Sequence, residues 1–425
     1  MCAFSKHLIV IGGGAAGIFC AANAARLCPG LHVTVLEKTG KLLSKVRISG
    51  GGRCNVTHSC YDIDEMAKRY PRGERFVRRE LYRWAVADTV GWFGERGVEL
   101  KTEADGRMFP VTDSSQTIID CLMREVNRYG VEVMMNAEVK DVEVGVEGGP
   151  GADADTGGFR VQLADGRGLA ADFVCIACGG YPKSGMFDWI RRLGHSIEEP
   201  VPSLFTFNMP GDPITRLMGI AVPETQVKIA GSRLIERGPL LITHWGLSGP
   251  VVLRLSAWGA RELAAGGYRF GIRVNWLPDL SEQQIRERMQ QVRYEWAARS
   301  VWSGNPFSLP QRLWEYWVTA AGIPEGLRWA DLPAKDQNKL VSFIWAAEYA
   351  IAGKTTFKEE FVTAGGVRLA EIDPGRCQSR KVPGLYFAGE ILDVDGITGG
   401  YNFQHAWSSG WIVADSVAAV KGRGQ

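Results

Sequence analysis

The sequence predicts an α/β fold. A Rossmann-like domain is interrupted by an inserted antiparallel β-barrel-like domain and by a small helical domain. Three observations predict this. The apolar run His7-Leu8-Ile9-Val10-Ile11 leads directly into Gly12-Gly13-Gly14-Ala15-Ala16-Gly17 and a helix of small residues. Near His195 the texture changes to short alternating strands, and after Ser281 to helical spacing. After Lys354 it reverts to strands, glycine-rich loops and a closing helix. The expected division is therefore residues 1–194 with 355–425 for the Rossmann-like domain, 195–279 with 348–354 for the β domain, and 280–347 for the helical insert.

Each element has its own reason. His7 to Ile11 has no polar alternation, as suits a buried parallel strand. Ile18 to Leu27 is small and apolar, so its helix can pack closely on a sheet. Leu31 to Leu36 is a second buried strand, closed by Glu37, and completes one βαβ unit. Lys41 to Thr57 is a long segment carrying the Gly50-Gly51-Gly52 triplet. Thr117 to Tyr129 places Ile118, Leu122 and Val126 along one helix side. Val131 to Met135 is the next strand. Val139 to Val146 and Phe159 to Leu163 form a meander around a Gly/Asp-rich turn at Gly148 to Gly158. Phe173 to Ala177 is a further buried strand, ending in Gly179-Gly180. Thr225 to Ile229 and Arg269 to Val274 read as antiparallel strands. Ser281 with Gln284 fits a capping box, followed by Ile285, Met289, Val292 and Trp296 at helical spacing. Pro310 suits the first turn of a second helix carrying Leu313 and Trp317, and Ala334 to Ala347 a third. The tryptophans of this region, Trp296, Trp302, Trp314, Trp317, Trp329 and Trp345, are expected in the helical core.

Composition narrows the function. In 425 residues, 49 Lys and Arg face 47 Asp and Glu, for a net charge of +2. A nucleic-acid binder shows a basic excess, so no nucleic acid is expected as a partner. The local basic run from Lys68 to Arg83 reads as a solvated helix face. The nine cysteines are scattered, with no short disulfide framework. That suits a reduced, cytoplasmic protein. No run approaches the ~18 apolar residues of a membrane span, and no cleavable leader is expected before His7. No metal-ligand spacing occurs. The 52 glycines are about 12% of the chain against a usual ~7%, which points to tight turns and close backbone–ligand approaches.

Gly12-x-Gly14-x-x-Gly17 carries the chemistry. The first glycine permits the tight turn, the second lets the backbone approach a pyrophosphate, and the third allows close helix–strand packing. The helix N-terminus, with Ala15 and Ala16, then offers N–H groups and partial positive charge to phosphates. Glu37, twenty residues after Gly17, can accept hydrogen bonds from a ribose and disfavours a 2′-phosphate. The fingerprint alone leaves NAD and FAD open. Two further segments favour FAD. Gly50-Gly51-Gly52-Arg53-Cys54-Asn55 is a second glycine loop with polar groups for a flavin. Pro383 to Phe387 is a strand ending in Ala388-Gly389-Glu390, followed by Gly399-Gly400-Tyr401-Asn402 and a helix. An NAD dehydrogenase has no need of that C-terminal return.

With these segments in place, the chain resembles the YhiN-like flavoproteins, also called BaiN-type or aminoacetone-oxidase-type FAD-dependent oxidoreductases. The matching segments are Ile-Gly-Gly-Gly-Ala-Ala-Gly (11–17), Ile-Ser-Gly-Gly-Gly-Arg-Cys-Asn (48–55), Thr-His-Trp-Gly-Leu-Ser-Gly-Pro (243–250), Thr-Ala-Gly-Gly-Val (363–367) and Gly-Leu-Tyr-Phe-Ala-Gly-Glu-Ile-Leu-Asp-Val-Asp-Gly-Ile-Thr-Gly-Gly-Tyr-Asn (384–402). They run from end to end. The resemblance implies a split FAD-binding domain. It places Lys38, Lys45, Val139, Ala177, Gly179, Gly180, Gly389, Glu390, Gly400, Tyr401 and Asn402 at the cofactor beside the residues above. The chain departs from the family at Leu43-Ser44, where the family has Gly and Arg, and at Met186-Phe187-Asp188-Trp189.

The expected reaction is hydride or two-electron transfer through the flavin. No second Gly-x-Gly-x-x-Gly follows a later strand, so NAD(P)H is expected only as a transient donor. Its expected use is to reduce an unsaturated or carbonyl-type small molecule. The alternatives are an oxygen-using oxidase of a small amine, and a tRNA-modifying or non-catalytic FAD protein. His244 is the candidate for proton transfer, because histidine titrates near neutral pH. Thr363 to Gly366 and the Thr243 to Gly249 loop are candidate substrate-pocket walls. Cys175 and Cys178, three apart on a strand, face opposite sides and are poorly placed for a disulfide.

Overall fold

A computed structural model describes residues 6–146, 158–355 and 362–422. The chain forms two compact units. One holds the residues up to Pro202 together with those from 362 onward, and the other begins at Ser203 and runs to 355. The turn expected at Gly148 to Gly158 lies almost entirely outside the described residues.

The first unit is built on a parallel sheet. β1 (Lys6–Ile11), α1 (Ala15–Leu27) and β2 (Leu31–Leu36) form the opening βαβ unit. α2 (Ser44–Gly52), β3 (Glu132–Met134), β4 (Phe173–Ile176), β5 (Leu385–Phe387) and α3 (Tyr401–Gly422) follow. The parallel strands lie in the order β5-β4-β1-β2-β3. Two short strands, Gln378–Ser379 and Ile372–Asp373, extend the β5 edge antiparallel. The register aligns Leu8 with Phe173 and with Val33. Every residue of β4 is buried, as the unalternated run predicted. The order β4-β1-β2 returns to β5 only after the whole second unit, so the first unit is discontinuous in sequence. α1 packs against the sheet and against α3. Gly410 is required there, because a Cβ would lie 2.7 Å from the Ala16 carbonyl oxygen. Between β3 and β4 the expected meander forms a three-stranded antiparallel sheet, Val139–Val146, Gly158–Leu163 and Gly168–Ala171.

The second unit holds a seven-stranded antiparallel sheet in the order 347–352, 269–275, 221–229, 235–242, 246–248, 206–208, 354–355. Its first and last strands are separated by Gly353 alone. The Gly353 carbonyl accepts from Asn208 N–H and its own N–H donates to the Tyr268 carbonyl, so the sheet ends meet as in a barrel. The helices Glu282–Glu295, Gln311–Ala320 and Ala334–Trp345 share one apolar core with these strands. Trp314, Trp317 and Trp329 are fully buried in that core, and Trp296, Trp302 and Trp345 pack at its border. The Ser281–Gln284 capping box forms in both directions. Pro310 sits one residue earlier than expected, at the cap and not within the first turn.

Candidate active site

The site gathers at the carboxyl ends of β1, β2 and β4, where ligands bind in open parallel sheets. Gly12 has φ of +116°, and a Cβ there would lie 2.4 Å from the Ala177 carbonyl oxygen. A Cβ at Gly17 would lie 2.0 Å from the Gly12 carbonyl oxygen. These two glycines are required by the chain itself. Gly14 differs: its backbone is extended, and a Cβ there would meet nothing within 4 Å. Gly14 has no side chain to cap α1, and no acidic residue occupies the first turn through Ala15 and Ala16. The helix end is thus left for an external anion. Glu37 closes β2. Its Oε2 accepts the Gly13 N–H at 2.9 Å, and its Oε1 accepts the Thr39 N–H and hydroxyl. Lys38 is exposed, with its ammonium 6.0 Å from the Tyr181 ring centre.

α2 brings in the second glycine loop. Helical geometry breaks at Ser49, and Gly50, Gly51 and Gly52 follow with left-handed φ of 59°, 70° and 85°. Side chains at Gly51 or Gly52 would meet only open space. Arg53 is committed within the protein: it pairs with Glu103 at 2.6 Å and lies over the Phe109 ring at 4.0 Å. Cys54 is fully buried, and burial pushes its thiol up to about 12, against a smaller opposing effect of a hydrogen bond with Ser49. It stays protonated and is unsuited to attack. Asn55, with its amide oriented to satisfy both ends, donates to the Thr57 carbonyl and accepts from Gly400 N–H, each at 3.0 Å. The glycine loop is thereby tied to the start of α3.

The C-terminal return closes the site. Gly389, φ +72°, lies against α1, where a Cβ would sit 2.8 Å from that of Ala16. Glu390 accepts the Thr363 N–H at 2.9 Å through Oε1 and pairs with Lys45 through Oε2. A Cβ at Gly180 would lie 2.4 Å from Thr363 Oγ1. Thr363 is fully buried, yet its hydroxyl has no partner among the described residues. Gly179, φ +76°, faces open space. Gly400 passes within contact of Thr57, where a Cβ would be 2.5 Å from its carbonyl. The Tyr401 ring stacks on His58 at 4.8 Å. Asn402 turns inward, bonding both the N–H and the carbonyl of Gly396. Val139 opens the meander opposite Leu163, half-buried.

Three of the departing residues are core positions, and nothing in the structure explains Ser44, Met186 or Asp188. Leu43 adopts φ +54° where the family has glycine, but its side chain is buried in the core and its N–H donates to Gly13. Phe187 and Trp189 are buried too, with Phe187 edge-on to Tyr181. His244 lies in the second unit, exposed, with its ring 4.3 Å from that of Trp245. The burial of two carboxylates was not expected from the sequence. Glu80 sits within the basic run but is fully buried against His405. Asp395 is fully buried against Arg72. Glu80 lies among arginines and so reads as part of a surface pattern, whereas Asp395 falls within the 384–402 motif, where it is a candidate to position the Gly399-Gly400 turn or to face substrate. Among the described residues, no group of three His, Cys, Asp or Glu side chains is placed to hold a metal, and no helix is long and apolar enough to cross a membrane.

The open space beside Gly14, Gly51, Gly52 and Gly179, the uncapped helix end and the orphaned Thr363 hydroxyl fit a dinucleotide. The fold and site define an FAD-dependent oxidoreductase built on a Rossmann FAD-binding domain. The sequence pattern of the HI0933-like protein Rossmann domain matches residues 6–416, and the chain belongs to that family. It is 31% identical to the ribosomal RNA dihydrouridine synthase of Escherichia coli, over 97% of this chain and 98% of that protein. It is 28% identical to the 3-dehydro-bile acid delta(4,6)-reductase of Clostridium scindens, over 96% and 98%. In fold it is similar to the 3-ketosteroid delta1-dehydrogenase of Sterolibacterium denitrificans, with a TM-score of 0.50 at 13% identity over 98% of this chain and 100% of that one.

Proposed function

We propose that this protein uses FAD to saturate a carbon–carbon double bond conjugated to a carbonyl, with NAD(P)H as a transient electron donor. One observation carries the reading. Two full-length relatives act on unlike molecules, a bile acid and an RNA, yet by name both saturate such a bond: a delta(4,6)-reductase on a 3-dehydro acid, and a synthase of dihydrouridine. Bound FAD would supply hydride transfer. The chain's residues would hold and shield it. The first glycine turn and α1 would take the pyrophosphate, and Glu37 the ribose. Glu390, oriented by Lys45 and Thr363, would take the hydroxyl chain next to the flavin ring. His244 is our candidate for delivering the proton that must accompany hydride addition. Its exposed ring has neither nitrogen tied by a hydrogen bond among the described residues. The eight cysteines described are unpaired, which supports a reducing, cytoplasmic setting.

An RNA substrate is favoured over a free small molecule by one feature. Lys68, Arg69, Arg75 and Arg79 are exposed on the segment tied to the 393–402 loop through the Arg72–Asp395 pair and the Ile397–Arg69 backbone bond. The amine-oxidase alternative has no such support. The test begins with the visible spectrum of the purified protein and anaerobic addition of NADH or NADPH. The reduced protein is then given a conjugated enone or unmodified ribosomal RNA. Flavin bands that bleach with NAD(P)H and recover with one acceptor support the reading. Bands that bleach only with an amine overturn it. Salt-sensitive RNA binding separates the two substrate classes.

A further inference from the structure

The turn that carries Glu390 is held from behind by groups with no part in the reading above. His405, on the second turn of α3, is buried, and both of its ring nitrogens face oxygens. Nδ1 lies 2.7 Å from Glu80 Oε2, and Nε2 lies 3.2 Å from the Gly389 carbonyl oxygen. A carboxylate and a carbonyl can only accept, so the ring donates from both nitrogens. Burial opposes that charge, but Glu80 outweighs it and the imidazole is held above its ordinary value. The second oxygen of Glu80 accepts from the Cys377 thiol at 3.5 Å, which leaves that carboxylate partnered on both sides. One helical turn on, Ser409 Oγ accepts the Gly389 N–H at 2.9 Å while donating to the His405 carbonyl. Both backbone groups of Gly389 are therefore bonded to α3, and its carbonyl also accepts the Leu392 N–H at 3.1 Å. Gly389 is left-handed, wedged against Ala16, and directly precedes Glu390.

We infer that His405 is a positioning residue for the cofactor: its Nε2–H on the Gly389 carbonyl, backed by Glu80 and paired with Ser409 on the Gly389 N–H, sets where the Glu390 carboxylate stands and so how tightly FAD is held. The inference rests on the reading of Glu390 as an FAD contact. It accounts for a charged pair kept in an apolar interior, where replacement by apolar groups of similar volume is often neutral or stabilising for the fold alone.

The test follows FAD release from the purified holoenzyme by the rise in flavin fluorescence on dilution. Gln places its amide nitrogen where Nε2 stands, and Asn places it where Nδ1 stands. His405→Gln, which keeps the donor to Gly389, should release FAD within about 3-fold of wild type, whereas His405→Asn, which keeps only the donor to Glu80, should release it about 10-fold faster. Glu390→Gln should also release FAD about 10-fold faster. In that background His405→Asn should add little, because the two act through one carboxylate. Should His405→Asn fail to fold, Ser409→Ala removes the other anchor of the same turn, and the same acceleration and non-additivity are expected of it. Equal release by the Gln and Asn variants, or additive effects with Glu390→Gln, overturns the inference and leaves the site reading standing. Unchanged release from Glu390→Gln overturns the site reading itself.

Discussion

Glu37 Oε2 accepts the backbone N–H of Gly13 at 2.9 Å, so the acid at the end of β2 also holds the glycine turn at the end of β1. Its other oxygen binds Thr39. A carboxylate has about four acceptor sites, so capacity for a ribose remains. Glu37→Gln keeps one acceptor for Gly13 and loses charge, and is expected to weaken FAD binding up to about 10-fold. Glu37→Ala frees the turn and should weaken it further. Fluorescence titration of the apoprotein with FAD checks the order, and equal affinities for the two variants would contradict it.

Gly14 and Gly17 separate what the chain needs from what the ligand needs. A Cβ at Gly17 collides with the Gly12 carbonyl at 2.0 Å, so Gly17→Ala should distort the turn and yield protein without flavin. A Cβ at Gly14 meets no atom of the protein within 4 Å. Gly14→Ala should therefore leave the apoprotein within about 1 kcal/mol of wild type, the cost of a poorer helix cap. It should still lose FAD affinity, because the added methyl would stand where we propose that the pyrophosphate approaches. Thermal unfolding of the apoprotein and FAD titration of the same variant give the two readings. Retained affinity would place the phosphates elsewhere.

The opening βαβ unit and the glycine loops were legible because their signals are local. A turn that admits only glycine shows itself in the sequence, and a strand buried on both faces shows as an unbroken apolar run. Contacts made across the fold leave no such mark. Pro250–Trp258 is a helix within the stretch read as strands; its Pro250 at the first turn has the same look as a strand-ending loop. Arg53 and Asn402 sit in the right motifs, yet their polar ends serve Glu103 and Gly396. The motif and the family resemblance led to the expectation of these residues at the cofactor but could not say which way each side chain turns. Cys54 likewise looks available beside the flavin loop, and only burial shows a thiol that stays protonated.

The Arg72–Asp395 pair anchors the loop between Glu390 and Gly399, with Asp395 fully buried and Arg72 nearly so. Arg72→Met leaves a buried carboxylate without its cation and should cost about 3–5 kcal/mol. Adding Asp395→Leu to Arg72→Met should recover much of that loss, because it is the orphaned charge and not the missing pair that destabilises. Urea unfolding of the wild type and the two variants measures this. A double variant no more stable than Arg72→Met would mean that the pair has a positional role that apolar packing does not replace.

His7 sets a pH dependence at the first strand. Its ring stacks on His32 at 4.2 Å, and its nitrogens face the Ala170 carbonyl at 2.8 Å and Thr34 Oγ1 at 2.9 Å. Burial, and after it the neighbouring His32, hold its pKa down to about 4. In the unfolded chain an unperturbed histidine titrates near 6.5. Between those values the unfolded chain binds the extra proton and the folded one does not, so stability falls as pH drops from about 6.5 to about 4. The loss attributable to His7 should reach on the order of 3 kcal/mol by the lower limit. His7→Gln cannot titrate and should show a shallower decline over that window, although it is less stable at pH 7 through lost packing. Urea midpoints of the two proteins across the window isolate the term, since every other titrating group is common to both. Parallel curves would mean that His7 gains its proton in the folded protein as readily as in water, and that β1 opens to solvent at its start.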